Sequence, residues 1–202
     1  MNHTIYTIGH SNHSLDEFLE LLAAHSIEVV ADVRSQPYGR LEHFHREALS
    51  AALRAHSIDY LFMGNELGGR PAGGQGRSEG AADFQKIAAT PKFRQGIERL
   101  LREAAQRRTA IMCAEKEPID CHRMLLVSRE LKRAGCSIKH ILADGSLEDQ
   151  ADTEKRMVAA TGVQRTLFEP DLSDDELVER AYEKRSKLVA HQDSTQEAAD
   201  GT

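Results

Sequence analysis

Thr109-Ala-Ile-Met-Cys113-Ala-Glu115-Lys-Glu117-Pro118-Ile-Asp120-Cys121-His122-Arg123-Met-Leu-Leu-Val127 combines two apolar runs with a polar loop between them. This order predicts a strand, a short loop and a helix. Pro118 is typical of a helix entry, and Asp120 is a suitable N-cap. Backbone N–H groups at such a helix start bind anions. Thiol, carboxyl, imidazole and guanidinium groups are crowded around this loop, which indicates a functional site.

The same order of short apolar strand and helix recurs along the chain and predicts an α/β fold. We expect a single three-layer domain with a mostly parallel sheet of about five strands flanked by helices. Ser14 and Glu17 form a predicted capping box at the first helix. The predicted strands are residues 4–8, 28–33, 58–63, 109–113 and 137–142, and the predicted helices are 15–25, 47–56, 81–108 with a break at 90–91, 121–134 and 147–160.

Three segments are predicted from the change in composition along the chain. Residues 1–168 form the α/β domain, and residues 169–190 form a charged C-terminal helix with a capping box at Ser173 and Glu176. Residues 191–202 are small and polar, and are predicted to be disordered.

Charge and cysteine content exclude several classes of protein. The net charge of -6 over 202 residues argues against general DNA binding. Three cysteines are an odd number and indicate free thiols in a reducing compartment. Neither a signal peptide nor an apolar stretch of membrane-spanning length is apparent. The sequence therefore predicts a soluble cytoplasmic protein with no membrane partner.

Polar residues follow each of the five predicted strands, and parallel strands bring such residues to one edge of the sheet. These clusters are residues 9–12, 32–40, 64–70, 113–123 and 140–145. Guanidinium groups bind phosphate and carboxylate in a bidentate manner. The predicted ligand is therefore a small anionic or nucleotide-like molecule, and its predicted binding residues are Arg34, Arg40, Arg70, Arg123 and Ser11.

Five residues of these clusters are the predicted catalytic groups. Asp32 and Glu115 are candidates for activating water, and His10 and His122 for transferring protons. Cys121 is either an activated thiolate at a helix N-terminus or a buried, inert cysteine. Cys113 is predicted to be buried and inert, since no arginine follows it at the spacing of a cysteine phosphatase loop.

The residues assign no metal site, although Cys121 or His122 could bind an ion alongside His10, and they leave open whether the cleft carries a metal. Cys113 and Cys121 lack CxxC spacing, and the side chains of adjacent Cys121 and His122 would point about 100° apart on a helix. The Gly-rich segment 64–80, with Arg70 and Arg77, is predicted to form a lid over the anion. The residues do not identify a cofactor or an oligomeric state.

Several motifs along the chain occur together in one known family. They are Thr7-Ile-Gly-His-Ser11, Asp32-Val-Arg34 with Pro37, Arg40 and Phe44, Leu67-Gly-Gly69, the Cys113–Arg123 element, His140-Ile141 with Gly145, and Leu167-Phe168. With these motifs the chain resembles the bacterial and archaeal family known as domain of unknown function 488. The resemblance covers about residues 4–168, and its most specific part is the element from Cys113 to Arg123. It implies an α/β fold and a shared site, but no established reaction.

Three functions are compatible with these residues. The first is an enzyme, a hydrolase or group transferase, acting on a phosphorylated, nucleotide-like or nucleic-acid-derived substrate. The second is a non-catalytic anion or nucleotide sensor. The third is a regulatory protein in which Cys121 responds to oxidation or to a metal. Product formation separates the first function from the other two.

Overall fold

A computed structural model describes residues 3–70, 77–78 and 81–200, with side chains for 3–70 and 83–190. Eight strands lie in these residues: β1 Thr4–Gly9, β2 Val29–Asp32, β3 Asp59–Phe62, β4 Arg77–Ser78, β5 Ala81–Ala82, β6 Thr109–Cys113, β7 Ser137–Ile141 and β8 Leu147–Asp149. Six of them form one open sheet in the order β3-β2-β6-β1-β7-β8, and β4 pairs with β5 in a separate hairpin. The first five strands of the large sheet run parallel. The predicted mostly parallel α/β fold is therefore confirmed.

Helices connect the strands and cover both faces of the sheet. The α-helices are α1 Leu15–Ala24, α2 Arg46–Ala55, α3 Gly64–Leu67, α4 Phe84–Ala88, α5 Pro91–Ala104, α6 Arg129–Arg133, α7 Gln150–Thr161 and α8 Asp174–Asp200. Short 3-10 turns occupy Glu42–Phe44 and Pro118–Asp120, and a π-helical turn spans Arg123–Ser128. None of the helices in the described part of the chain is long and apolar enough to span a bilayer.

The hydrophobic core has two halves because successive strand residues point to opposite faces. Val30 and Ala110 pack with α1 and α2 on one face, and their neighbours Ala31 and Ile111 pack with α5, the π-helical turn and α8 on the other. The central strands β2 and β6 are buried along their whole length. This burial on both faces is typical of parallel strands and places their carboxyl ends firmly at one edge.

Two helix starts agree with the sequence. Ser14 and Glu17 form the predicted capping box of α1, with both reciprocal hydrogen bonds present. Ser173 and Glu176 make the same pair of contacts at the start of α8. Local side-chain chemistry was sufficient to predict both helix starts, because a capping box uses only residues three apart.

Two local predictions were wrong. The segment predicted as one helix over 147–160 begins with β8, which pairs antiparallel with β7, and the helix starts only at Gln150. Helix α8 is described as far as Asp200, and the disorder predicted for 191–202 stays a prediction. Asp120 is not an N-cap: it ends a 3-10 turn, and its carboxylate pairs with Arg185 of α8.

Candidate active site

A cleft of about 870 Å³ lies beyond the carboxyl ends of β1, β2 and β6. The connection after β1 crosses one face of the sheet, and the connection after β6 crosses the other. Chain connections that diverge in this way open a crevice between neighbouring strands, where α/β proteins bind ligands. The lining residues are His10, Ser11, Asn12, Arg34, Ser35, Gln36, Tyr38, Gly39, Arg40, Leu41, Phe44, Gly69, Arg70, Cys113, Ala114, Glu115, Lys116 and His122.

The loops after β1 and β6 are bonded together at the base of this cleft. The backbone N–H of His10 donates to the Cys113 carbonyl at 2.9 Å, and that of Ser11 donates to the Ala114 carbonyl at 2.8 Å. A Cβ atom on Gly9 would lie 1.9 Å from the Glu115 carbonyl oxygen. Only glycine allows this approach, so Gly9 fixes where the backbone of Glu115 lies.

Asp32 anchors Arg34 at the end of β2. Its carboxylate is fully buried and accepts hydrogen bonds from Arg34 Nε at 3.0 Å, from the Arg34 terminal NH2 group at 2.7 Å and from the Tyr60 hydroxyl at 2.6 Å. Burial, followed by the Asp32 charge, raises the pKa of Tyr60, so its hydroxyl stays a donor. Both carboxylate oxygens accept hydrogen bonds, so the geometry favours a positioning role for Asp32, and its predicted role as a catalytic base stays a prediction.

His10 contacts Arg34 and helps to hold it in place. Its Nδ1 lies 3.0 Å from the Ser11 carbonyl, its Nε2 lies 3.3 Å from a terminal nitrogen of Arg34, and its ring stacks on Phe44 with centroids 4.2 Å apart. Burial and the Arg34 charge lower the pKa of His10 to about 4. Neutral His10 therefore donates through Nδ1–H and accepts through Nε2, which fits a support for Arg34 better than proton transfer.

On the opposite wall, Cys113, Glu115, Cys121 and His122 form one cluster. Glu115 Oε2 accepts from Cys113 Sγ at 3.0 Å and from Cys121 Sγ at 2.8 Å. Cys113 Sγ lies 3.5 Å from His122 Nδ1, and His122 Nε2 lies 3.0 Å from the Val33 carbonyl. The structure thus joins three predicted catalytic residues to Cys113, which the sequence suggested was inert.

The protonation of this cluster is set by burial and by its own members. Burial raises the pKa of the Cys113 thiol, and burial together with the Cys121 charge raises the pKa of Glu115. Burial opposes ionisation of Cys121, but the Cys113 thiol and the Arg123 charge outweigh it and lower the pKa of Cys121. His122 is likewise disfavoured as a cation by burial, yet Cys121 and Glu115 raise its pKa.

Arg123 supports the loop that carries Glu115. It is fully buried, and its two terminal nitrogens donate to the backbone carbonyls of Glu115 at 2.5 Å and Lys116 at 2.9 Å. Because Arg123 is fully buried and does not line the cleft, an anion in the cleft does not reach its guanidinium. This geometry favours a structural role, and the predicted anion-binding role of Arg123 stays a prediction.

The remaining predicted anion-binding residues line the cleft. All four are lining residues of the cleft: Arg34, Arg40, Arg70 and Ser11. Arg34 is buried beside His10, whereas Arg40 is exposed. Lys116 also lines the cleft and was missed, although its position next to Glu115 could have suggested it. The lid predicted over 64–80 extends beyond the described residues, which omit 71–76 and 79–80 and the side chain of Arg77.

The predicted contribution of the fifth strand to the cleft was wrong. His140 lies within β7, fully buried, and contacts the Thr7 hydroxyl at 2.7 Å and Gln150 Oε1 at 2.8 Å. Asp144 accepts hydrogen bonds from Ser146 in the following turn. Neither residue lines the cleft, because β7 lies on the far side of β1 from β6.

The family described as Domain of unknown function DUF488 matches residues 14–129 of the chain, more than half of its 202 residues. The match includes the end of β2 and the whole element from Cys113 to Arg123, and it is shorter at both ends than the resemblance seen in the sequence. No curated protein and no solved structure matches the chain.

Proposed function

We propose that this chain, which belongs to the DUF488 family, is an enzyme that binds a phosphate-bearing, nucleotide-like substrate and catalyses its hydrolysis or a group transfer. One observation carries the proposal: the cleft places cationic side chains around an acid, thiol and imidazole cluster. The cations are Arg34, Arg40, Arg70 and Lys116.

The cationic wall suits an oxyanion. Arg34 is held by Asp32 and by the Phe44 carbonyl, to which it donates at 2.9 Å, so its orientation is fixed before a ligand binds. Arg40 and Lys116 are exposed and line the same cleft. Cations that are fixed before binding stabilise the charge of a reacting phosphoryl group, and exposed cations attract the anion and can move to contact it.

Glu115 is the reacting carboxylate in this proposal. It is the one predicted catalytic carboxylate that lines the cleft, since Asp32 is enclosed by Arg34 and Tyr60. A carboxylate next to a bound phosphate activates water or an acceptor hydroxyl by accepting its proton. His122 Nε2 is fixed on the Val33 carbonyl, so this ring orients the cluster.

The experiment screens nucleoside phosphates, sugar phosphates and inorganic phosphate by thermal shift and mass spectrometry of products. Glu115→Gln should abolish product formation and preserve binding, whereas Glu20→Gln, an exposed change on α1, should match the unmodified protein. Arg40→Ala should weaken binding by about 1–3 kcal/mol, the value of a charge-assisted hydrogen bond. Arg102→Ala, an exposed change on α5, is its control.

A ligand that stabilises the protein but is never consumed would contradict the enzyme and favour a sensor. Equal binding by the Arg40→Ala and Arg102→Ala variants would place the anion elsewhere. Full activity in Glu115→Gln would exclude this carboxylate from the reaction.

A further inference from the structure

The four members of the Cys113 cluster bring two sulfurs, one nitrogen and one carboxylate oxygen together. One ligating atom from each of Cys113, Glu115, Cys121 and His122 lies within 4.8 Å of all the others. Cys113 is the last residue of β6 and Glu115 follows it, while Cys121 and His122 immediately precede the π-helical turn. Thiolate, imidazole and carboxylate are the ligands that proteins use for Zn²⁺.

The conformation of Cys121 makes this convergence possible. Its backbone is extended, with φ -135° and ψ 140°, whereas His122 has helical angles of -61° and -21°. A helix through both residues would send their side chains in different directions. The extended residue instead turns the Cys121 thiol toward Glu115, while the His122 ring faces Cys113.

Three of the six ligand-to-ligand distances can be compared with those of a tetrahedral site. Zinc bonds of about 2.3 Å to sulfur and about 2.1 Å to nitrogen or oxygen imply tetrahedral edges of about 3.6 Å between them. The distance between Cys113 Sγ and His122 Nδ1 is 3.5 Å. Glu115 Oε2 lies at 2.8 and 3.0 Å from the two sulfurs, so its side chain would withdraw by roughly 0.7 Å to reach the same edge.

Groups outside the cluster hold the ligands in place. His122 Nε2 is 3.0 Å from the Val33 carbonyl, an arrangement that makes Nε2–H the donor and leaves Nδ1 as the ligand. The backbone N–H of Arg123 donates to Cys121 Sγ at 3.4 Å. A Cβ atom on Gly69 would meet the His122 ring at 3.0 Å, so the ring has little room to turn away.

We propose that Cys113, Cys121 and His122 bind one zinc-like divalent cation, with Glu115 as the fourth ligand on the cleft side. Any proton still held by the two thiols passes to solvent as the two metal–sulfur bonds form, and no oxidant or reductant is needed. A carboxylate ligand exchanges more readily than thiolates, so the ion would stand where a substrate oxygen in the cleft can reach it. The binding itself does not depend on the proposed reaction.

The experiment uses the full chain, reduced and stripped of metal by a chelator, and titrates it with Co²⁺ and then with competing Zn²⁺. Tetrahedral Co²⁺ with thiolate ligands gives strong visible bands and sulfur-to-metal charge transfer. We expect one ion per chain. Cys113→Ser and Cys121→Ser should each lower the charge-transfer absorbance by about half, because one of two thiolates is lost. Cys136→Ser, which removes the buried thiol outside the cluster, should leave it unchanged.

Glu115→Gln supplies the second comparison. It should keep the absorbance of both thiolates but raise the Co²⁺ dissociation constant by about 10–100-fold. Circular dichroism and melting of each stripped variant establish that it is folded. The proposal is overturned if folded, reduced wild-type protein binds no Co²⁺, or if Cys121→Ser and Cys136→Ser bind it alike. Turnover that survives complete metal removal would leave the proposed function standing while separating it from the ion.

Discussion

Asp32→Asn tests whether a buried carboxylate at the edge of the cleft has a structural or a catalytic role. The change keeps the shape of the side chain but removes its charge. In the native protein this carboxylate is fully buried and faces an Arg34 side chain that is only 7% exposed. It also accepts the Tyr60 hydroxyl at 2.6 Å. Asparagine would leave the Arg34 guanidinium buried without a counter-charge.

The expected cost follows from this burial. Removing one partner of a buried ion pair destabilises a protein by about 3–5 kcal/mol, because the other charge stays in a medium of low polarity. A chain of this size loses about 2–4 °C of melting temperature per kcal/mol. We therefore expect the melting temperature of Asp32→Asn to fall by about 6–20 °C.

Urea denaturation followed by circular dichroism measures the loss directly. Asp59→Asn is the matched control, since Asp59 pairs with Arg107 but is 66% exposed. Exposed pairs contribute about 0–1 kcal/mol, so the control should remain near the unmodified protein. If Asp32→Asn unfolds like Asp59→Asn yet abolishes product formation, Asp32 is a catalytic group and the positioning role is refuted.

Three further predictions concern stability. Burial lowers the pKa of His140 to about 4. The unfolded chain therefore binds this proton at a higher pH than the folded protein does. The free energy of unfolding should fall by up to about 3 kcal/mol as the pH drops from 6.5 to 4. Urea denaturation at several pH values checks this, and the free energy of unfolding of His140→Gln should depend less on pH. Gly9→Ala should destabilise the protein by about 1–3 kcal/mol and weaken Co²⁺ binding, because its Cβ would overlap the Glu115 carbonyl; melting and titration measure both effects. Tyr182→Phe should cost about 1–3 kcal/mol in thermal denaturation, because it removes a buried hydroxyl that contacts Gln150 at 2.7 Å.

The parallel part of the fold could be predicted because its central strands, β2 and β6, are compact and mostly apolar runs. Residues 109–113 were predicted as a strand and form β6 with the same bounds. The antiparallel strand β8 was missed, since Leu147–Asp149 is short and mostly acidic. Its partner β7 and the turn at Gly145, where φ is 83°, make it a strand. Asp144-Gly145 is a common hairpin-turn sequence and could have indicated it.

The position of the site could also be predicted, but the role of each polar residue could not. Sequence places Asp32, Glu115 and Arg123 near one edge of the sheet, because each follows or precedes an apolar run. Their roles depend on which partners fold against them from distant segments. Tyr60 reaches Asp32 from the neighbouring strand β3, a contact that no local pattern encodes.

The convergence of Cys113, Glu115, Cys121 and His122 was missed for a more local reason. Cys121 and His122 were assigned to a helix, where adjacent side chains diverge. The helix in fact begins two residues later, at Arg123, in a π-helical turn that follows a 3-10 turn and an extended Cys121. A single backbone conformation therefore decides whether these two side chains can converge on one ion.

The two walls of the cleft divide the polar residues by whether the fold already satisfies them. Both carboxylate oxygens of Asp32 accept hydrogen bonds from Arg34 or Tyr60, and both terminal nitrogens of Arg123 donate to backbone carbonyls. Such residues cannot change partners without the loss of buried hydrogen bonds, so they define geometry. Glu115 instead contacts the thiols of Cys113 and Cys121, which are weak hydrogen-bond donors. Its carboxylate can therefore leave these hydrogen bonds for an ion or a substrate with little loss of free energy. We therefore expect a reaction in this cleft to use the carboxylate of Glu115, while the carboxylate of Asp32 fixes the position of Arg34.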